Sequence, residues 1–325
     1  MLLRPALLAA ARSPRLERTV RRMSSTRRLV GRFVAGDDEA QAIAVATPLL
    51  ASGRRISIDY LGEDTTEIDQ ARATVTHYLS LLAALAHGQG FYDALALEIS
   101  LKLSALGQAL PRDGARIALD HAREICAAAR AAGVAVTIDA EDHTTTDSTL
   151  AIVGDLRGDF PDLGTVLQAY LKRTEADCRA LAGSRIRLCK GAYREPPSVA
   201  FQRPEQVDAA YLRCLRILMD GSGYPMIATH DPRLIEAAGH YAREAGREHA
   251  DFEFQMLYGI RDPEQRRLAA AGHRLRVYLP YGDQWYGYFM RRLAERPANL
   301  TFFLRALTPG NFTDSPPGTP AGRFS

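Results

Sequence analysis

The sequence predicts an α/β fold, a (β/α)8 barrel of the TIM type with extra N-terminal helices, and three features predict it. Eight short runs rich in β-branched or aromatic residues recur at 56–60, 97–103, 134–139, 165–170, 185–188, 225–229, 252–256 and 276–279. Stretches of helical period separate them, for example 114–131 and 207–219. Strands alternating with helices build βα units, and eight units in about 250 residues is the arithmetic of a closed barrel. The third feature is an absence: no Gly-x-Gly-x-x-Gly turn announces a doubly wound nucleotide-binding sheet.

Residues 1–50 precede this rhythm and read as helices packed outside a barrel of residues 51–308. Met1 to Ala11 is apolar and Arg12 to Arg28 is arginine-rich, as in a presequence, yet Leu16, Val20 and Met23 keep helical spacing. A retained surface helix is the favoured reading, and a cleaved presequence is the alternative. Residues 309–325, rich in Pro, Gly, Ser and Thr, are expected to be disordered.

Most strand runs end in polar groups that packing does not demand. The second leads to Lys102, and the third to Asp139, Ala140, Glu141, Asp142 and His143. The fourth carries Gln168 and Tyr170, and the fifth Arg187 before Lys190, Gly191, Ala192 and Tyr193. The sixth ends in Thr229 and His230, the seventh holds Gln255 before Leu257, and the eighth has Tyr278. Any one could be an edge charge or a structural hydrogen bond. Together they are harder to dismiss, because each buried unpaired polar group costs about 1–3 kcal/mol. In a parallel barrel the chemistry sits where these runs end.

The acidic cluster at 139–142 gives little support for a metal, since neighbouring strand residues point to opposite faces. The last helical stretch places Tyr288, Arg291, Arg292 and Glu295 on one face. Two guanidinium forks beside an aromatic ring suit a carboxylate ligand. A solvated face with an Arg291–Glu295 ion pair is the plainer alternative.

Composition narrows the class. The 325 residues are 46% hydrophobic and 24% charged, with a net charge of +3, too small to argue for nucleic acid. The 4 cysteines form no CxxC pair, which argues against zinc or a disulfide framework and points to a reducing, cytoplasmic setting. The basic N-terminal segment could touch anionic lipid headgroups on the inner face of a membrane, or simply be solvated.

Ordered motifs then resemble the proline dehydrogenase family, in its monofunctional bacterial form. They are Leu101-Lys-Leu-Ser104, Ile138-Asp-Ala-Glu141, Leu167-Gln-Ala-Tyr170, Arg187-Leu-Cys-Lys-Gly-Ala-Tyr193, Ala228-Thr-His-Asp231, Phe252-Glu-Phe-Gln-Met-Leu-Tyr-Gly259, Arg276-Val-Tyr-Leu-Pro280 and Tyr288-Phe-Met-Arg-Arg-Leu-Ala-Glu295. The resemblance implies a distorted barrel binding FAD, which oxidises L-proline to Δ1-pyrroline-5-carboxylate and passes electrons to a quinone. It assigns the flavin to Ala140, Gln168, Arg187, Cys189, Lys190, Gly191, Ala192, Tyr193, Thr229 and His230. It assigns the substrate to Lys102, Leu257, Tyr278, Tyr288, Arg291, Arg292 and Glu295, with Asp139 and Arg187 at the reacting centre. No aldehyde-dehydrogenase half is present, so a separate pyrroline-5-carboxylate dehydrogenase is the expected partner. A hydroxyproline dehydrogenase, disfavoured by Tyr288, and a non-catalytic barrel module are the competing expectations.

Overall fold

The computed structural model describes residues 30–86 and 95–295, with side chains described as far as Met290. The expectations for the N-terminal helix at 12–28 and for the tail at 309–325 lie outside the described residues. Residues 32–285 form one compact unit that holds the whole barrel.

In chain order the elements are α1 (Glu39–Ala51), β1 (Arg55–Tyr60), α2 (Ile68–Ala86), β2 (Leu97–Leu101), α3 (Gly114–Ala131), β3 (Ala135–Ile138), α4 (Thr146–Asp159) and β4 (Gly164–Gln168). They continue with α5 (Thr174–Ala180), β5 (Arg185–Cys189), α6 (Pro204–Asp220), β6 (Tyr224–Ala228), α7 (Pro232–Glu244), β7 (Glu253–Leu257), α8 (Asp262–Ala270), β8 (Leu275–Tyr281) and α9 (Trp285–Glu295). The strands close in sequence order into a barrel, and every neighbouring pair is parallel. All eight sequence-predicted runs are strands of this barrel. Among the described residues no helix is long and apolar enough to cross a membrane.

Local chemistry explains where the helices start. Asp38 caps α1 by accepting from the Gln41 amide at 2.8 Å, and Asp231 caps α7 by accepting from the Arg233 amide at 3.1 Å. Pro204 and Pro232 open α6 and α7, where no amide proton is needed. Four strands stop short of the predicted ends, β3 and β6 by one residue and β2 and β4 by two. Past Leu101 the chain turns, with the Leu106 and Gln108 amides both bonding the Leu103 carbonyl, so Lys102 stands just beyond β2. Past Gln168 the Leu171 amide folds back onto the Gln168 carbonyl and ends β4 before Ala169 and Tyr170.

The strands are apolar on the outside. Ile56, Ile58, Ile99, Leu101, Ile186, Leu188, Val277 and Leu279 pack with helix residues such as Leu81, Ala118, Ile125 and Leu215 in one buried cluster. The alternate residues face inward, and many are charged. Arg187 on β5 donates through Nη2 to Glu98 on β2 at 2.6 Å, and Arg185 reaches the other Glu98 oxygen at 2.9 Å. Strands three places apart around a closed barrel can meet in this way only through its interior. Arg276 on β8 bonds Glu253 on β7 at 2.6 and 3.0 Å, and Gln255 bridges Glu253 at 2.6 Å and Arg187 at 2.5 Å.

A parallel barrel usually fills its interior with branched apolar side chains. This one fills it with a hydrogen-bonded charge lattice. Burial pushes the Glu98 carboxyl up, but the guanidiniums of Arg276, Arg187 and Arg185 outweigh it and hold Glu98 down at about 2. Removing one partner strands the others without water. Glu98→Ala is therefore expected to lower the unfolding free energy by about 3–5 kcal/mol in urea denaturation; a loss below about 1 kcal/mol would contradict a structural lattice. Because the folded pKa lies below that of the unfolded chain, the advantage of wild type over Glu98→Gln should be complete above the unfolded value of 4.5 and shrink as pH falls toward 2.

Candidate active site

The top of the lattice lies at the C-terminal ends of the strands. Arg187 donates through Nη1 to Asp139 Oδ1 at 2.7 Å and to Ser100 Oγ at 2.9 Å. The other Asp139 oxygen accepts from the Tyr278 hydroxyl at 2.7 Å and from Lys102 Nζ at 3.4 Å. Lys102 also grips both oxygens of Asp59, at 2.7 and 2.8 Å, and lies 3.3 Å from the Tyr278 hydroxyl. The Arg187 guanidinium sits 5.3 Å from the centroid of the Tyr278 ring. Lys102, Asp139, Arg187 and Tyr278, all predicted from sequence, thus form one connected group.

Electrostatics keeps Lys102 charged and the Tyr278 hydroxyl protonated. Burial opposes the Lys102 charge, but Asp59 and then Asp139 outweigh it and raise its pKa. Burial, followed by the Asp139 and Asp59 carboxylates, puts the Tyr278 hydroxyl well above its ordinary value, so it stays a donor. Glu141 lies beside this group with its carboxylate on the Ser104 amide at 3.0 Å and on the Ser104 hydroxyl. Burial pushes Glu141 up to about 7 against those hydrogen bonds.

Asp139, Glu141 and His143 part company although strand alternation would put all three on one face, because β3 ends at Ile138 and the chain beyond it is no longer a strand. Glu141 serves Ser104, while the His143 ring and amide bond the Glu195 carboxylate, which also accepts from Tyr170 at 3.2 Å. Asp142 caps the short turn at His143–Thr145 by accepting from the Thr144 amide at 2.8 Å.

The segment after β5 runs close to its neighbours. Gly191 has φ +111, and a Cβ there would lie 2.3 Å from the Tyr170 ring. Only glycine lets the backbone of Lys190–Tyr193 lie so near that ring. Gln168 is buried with Nε2 on the Glu141 carbonyl at 2.7 Å, which leaves Oε1 as an acceptor. Cys189 Sγ lies 3.7 Å from the Leu167 carbonyl. Lys190 is held by Asp208 at 2.5 Å and Asp231 at 3.4 Å. Thr229 accepts from the Asp231 amide at 3.1 Å, and His230 Nε2 accepts from the Leu257 amide at 2.9 Å. Ala140 and Ala192 are part-exposed beside these groups in the chain.

Residues 42–305 match the family model for proline dehydrogenase. The chain belongs to the proline dehydrogenase family. It is 40% identical over 278 residues to proline dehydrogenase 1 of Bacillus subtilis strain 168, covering 85% of this chain and 89% of that one. It is 38% identical over 313 residues to the proline dehydrogenase of Deinococcus radiodurans, covering 95% and 99%. Among solved structures it resembles proline utilization A (PutA) of Bdellovibrio bacteriovorus in a form inactivated by N-propargylglycine. That likeness has a TM-score of 0.75 at 26% identity and covers 82% of this chain. This chain spans 32% of that PutA, about a third of its length.

Helix α9 carries Tyr288, which is buried. Arg291, Arg292 and Glu295 fall in the same helix, but their side chains lie outside the described ones. Sequence reasoning passed over Asp59, Glu98, Ser100 and Glu195. The first three carry a readable signal, since Ile56-Ser-Ile-Asp59 and Leu97-Glu-Ile-Ser-Leu-Lys102 alternate apolar and polar residues with period two. Glu195 lies in a loop and carries none.

Gly191→Ala is expected to cost at least about 1–3 kcal/mol from backbone strain alone and to lower the thermal midpoint. Tyr170→Ala in the same chain should recover only the part due to the clash. An unchanged midpoint in the single variant would refute the close approach.

Proposed function

We propose that this chain oxidises L-proline to Δ1-pyrroline-5-carboxylate, with FAD as hydride acceptor and a quinone as the final electron acceptor. The observation that carries the proposal is the connected group of Lys102, Asp139, Arg187 and Tyr278 at the strand ends of a proline dehydrogenase barrel. N-propargylglycine, the compound that inactivated the Bdellovibrio PutA, shares a secondary amine and an α-carboxylate with proline. That likeness supports a site of this substrate class.

The residues present fit a flavin. The backbone at Gly191 approaches as only a glycine can, Gln168 keeps an amide oxygen to accept from a ring N–H, and Arg187 brings a permanent cation. Gln168, Arg187, Cys189 to Tyr193, Thr229, His230 and Ala140 would hold the cofactor. When bound, FAD supplies the hydride acceptor.

The reaction needs a neutral amine and an oriented ring, so the protein contributes position and charge rather than a nucleophile. Lys102 stays protonated beside Asp59 and Asp139 and presents a cation toward a carboxylate. The family motifs assign Tyr278 and Leu257 to cover the ring, and give Tyr288 the same role. The family motif at 288–295 assigns the substrate carboxylate to Arg291 and Arg292, with Glu295 to orient an arginine. Arg187, fixed by Ser57, Glu98, Ser100, Asp139 and Gln255, keeps positive charge where negative charge grows during hydride transfer. The product is the substrate of a pyrroline-5-carboxylate dehydrogenase, which makes such an enzyme the functional partner.

Anaerobic addition of L-proline to the purified protein is expected to bleach a flavin absorption band, and later addition of a soluble quinone should restore it. A flavin that stays oxidised would overturn the substrate, and no flavin even after added FAD would overturn the cofactor. Arg291→Ala and Arg292→Ala should each raise KM for proline at least about tenfold with flavin retained. Unchanged kinetics in both would remove the carboxylate clamp.

A further inference from the structure

Arg261 stands in a place that neither the barrel nor the group above accounts for. It lies between β7 and α8 with φ +53 and ψ 43, a left-handed backbone. A glycine or asparagine would make that turn with little or no strain. An arginine held there is strained, and such strain collects where side-chain direction serves a ligand.

Its direction is specific. Arg261 Nη1 donates to the His230 carbonyl at 2.6 Å, so the side chain crosses from the end of β7 to the loop after β6. That loop is itself fixed, because His230 Nε2 accepts from the Leu257 amide at 2.9 Å. The guanidinium is part-buried on the face where the strand ends meet.

Its charge is only lightly engaged: it acts on the Glu264 carboxyl, which it helps to lower, without closing an ion pair. The two acids that follow it are committed elsewhere: Asp262 to Arg54 at 2.5 Å and Arg266 at 2.7 Å, and Glu264 to Arg267 at 2.8 Å. Among the described residues Arg261 makes no ion pair, and its one hydrogen bond goes to a backbone carbonyl. A planar cation with free donors, aimed by a strained backbone beside Thr229 and His230, matches the fork geometry of phosphate recognition.

We propose that Arg261 binds the diphosphate of the flavin dinucleotide and so favours FAD over a flavin without phosphate. This rests on the flavin reading above. The fork replaces water around a phosphate oxygen, and the His230 carbonyl holds it in register while Asp262 and Glu264 make their hydrogen bonds to other arginines.

The test uses the full chain freed of bound flavin and titrated by flavin fluorescence with FAD and, separately, with riboflavin. Arg261→Met is expected to raise Kd for FAD about tenfold or more and to leave Kd for riboflavin unchanged. Arg261→Lys should restore part of the loss. Arg261→Gly relieves the left-handed strain, so without flavin it should melt no lower than wild type while binding FAD as poorly as Arg261→Met. FAD affinity equal to wild type in Arg261→Met would overturn the proposal, as would equal weakening of FAD and riboflavin. A wild-type chain that binds neither flavin would defeat the cofactor reading itself, an outcome distinct from either.

Discussion

The contact on which the rest depends is the one between Arg187 and Glu98 across the barrel interior, at 2.6 Å. Neither side chain has water to fall back on, so each is stable only with its charged partners in place, Glu98 with Arg187 and Arg185, and Arg187 with Glu98 and Asp139. Arg187 also bonds Asp139, Gln255, Ser100 and Ser57, which ties strands β1, β2, β5 and β7 and the end of β3 to one planar group. The same guanidinium therefore closes the lattice below and begins the candidate site above. Position at the strand ends is inherited from a rigid interior rather than assembled from loops.

That arrangement explains why the site is held so well before any ligand binds. Asp139 receives Arg187 on one oxygen and Tyr278 and Lys102 on the other, so its side chain has little freedom. Lys102 is pinned by Asp59 from the first strand, a residue that keeps that ammonium in place and charged. Arg261 offers a contrast within the same face. Its backbone is strained and it closes no ion pair among the described residues, whereas the interior arginines bond carboxylates directly.

Much of this was legible in the residues. Eight strands, their order and the polar character of their ends follow from alternation and from the strand–helix rhythm, and the family motifs name Lys102, Asp139, Arg187 and Tyr278. The strand ends were less legible, because Lys102 and Tyr170 leave the ladder through turns whose hydrogen bonds depend on tertiary context. Asp59 and Glu98 are written in the period-two pattern, but that pattern is equally the one of a strand with one solvated face. Only closure of the barrel turns that face inward. Glu195 was illegible, since a loop carboxylate shows its partners, His143 and Tyr170, only when distant strands are assembled.

A barrel filled with ions rather than oil also responds differently to temperature. Unfolding exposes apolar surface from between strands and helices, which raises the heat capacity, and polar surface from the interior, which lowers it. The two oppose each other here more than in a barrel with a branched apolar interior. A flatter stability curve is the expected consequence. Ion desolvation also becomes cheaper on warming, so the lattice that costs most in the cold weighs less heavily as the temperature rises.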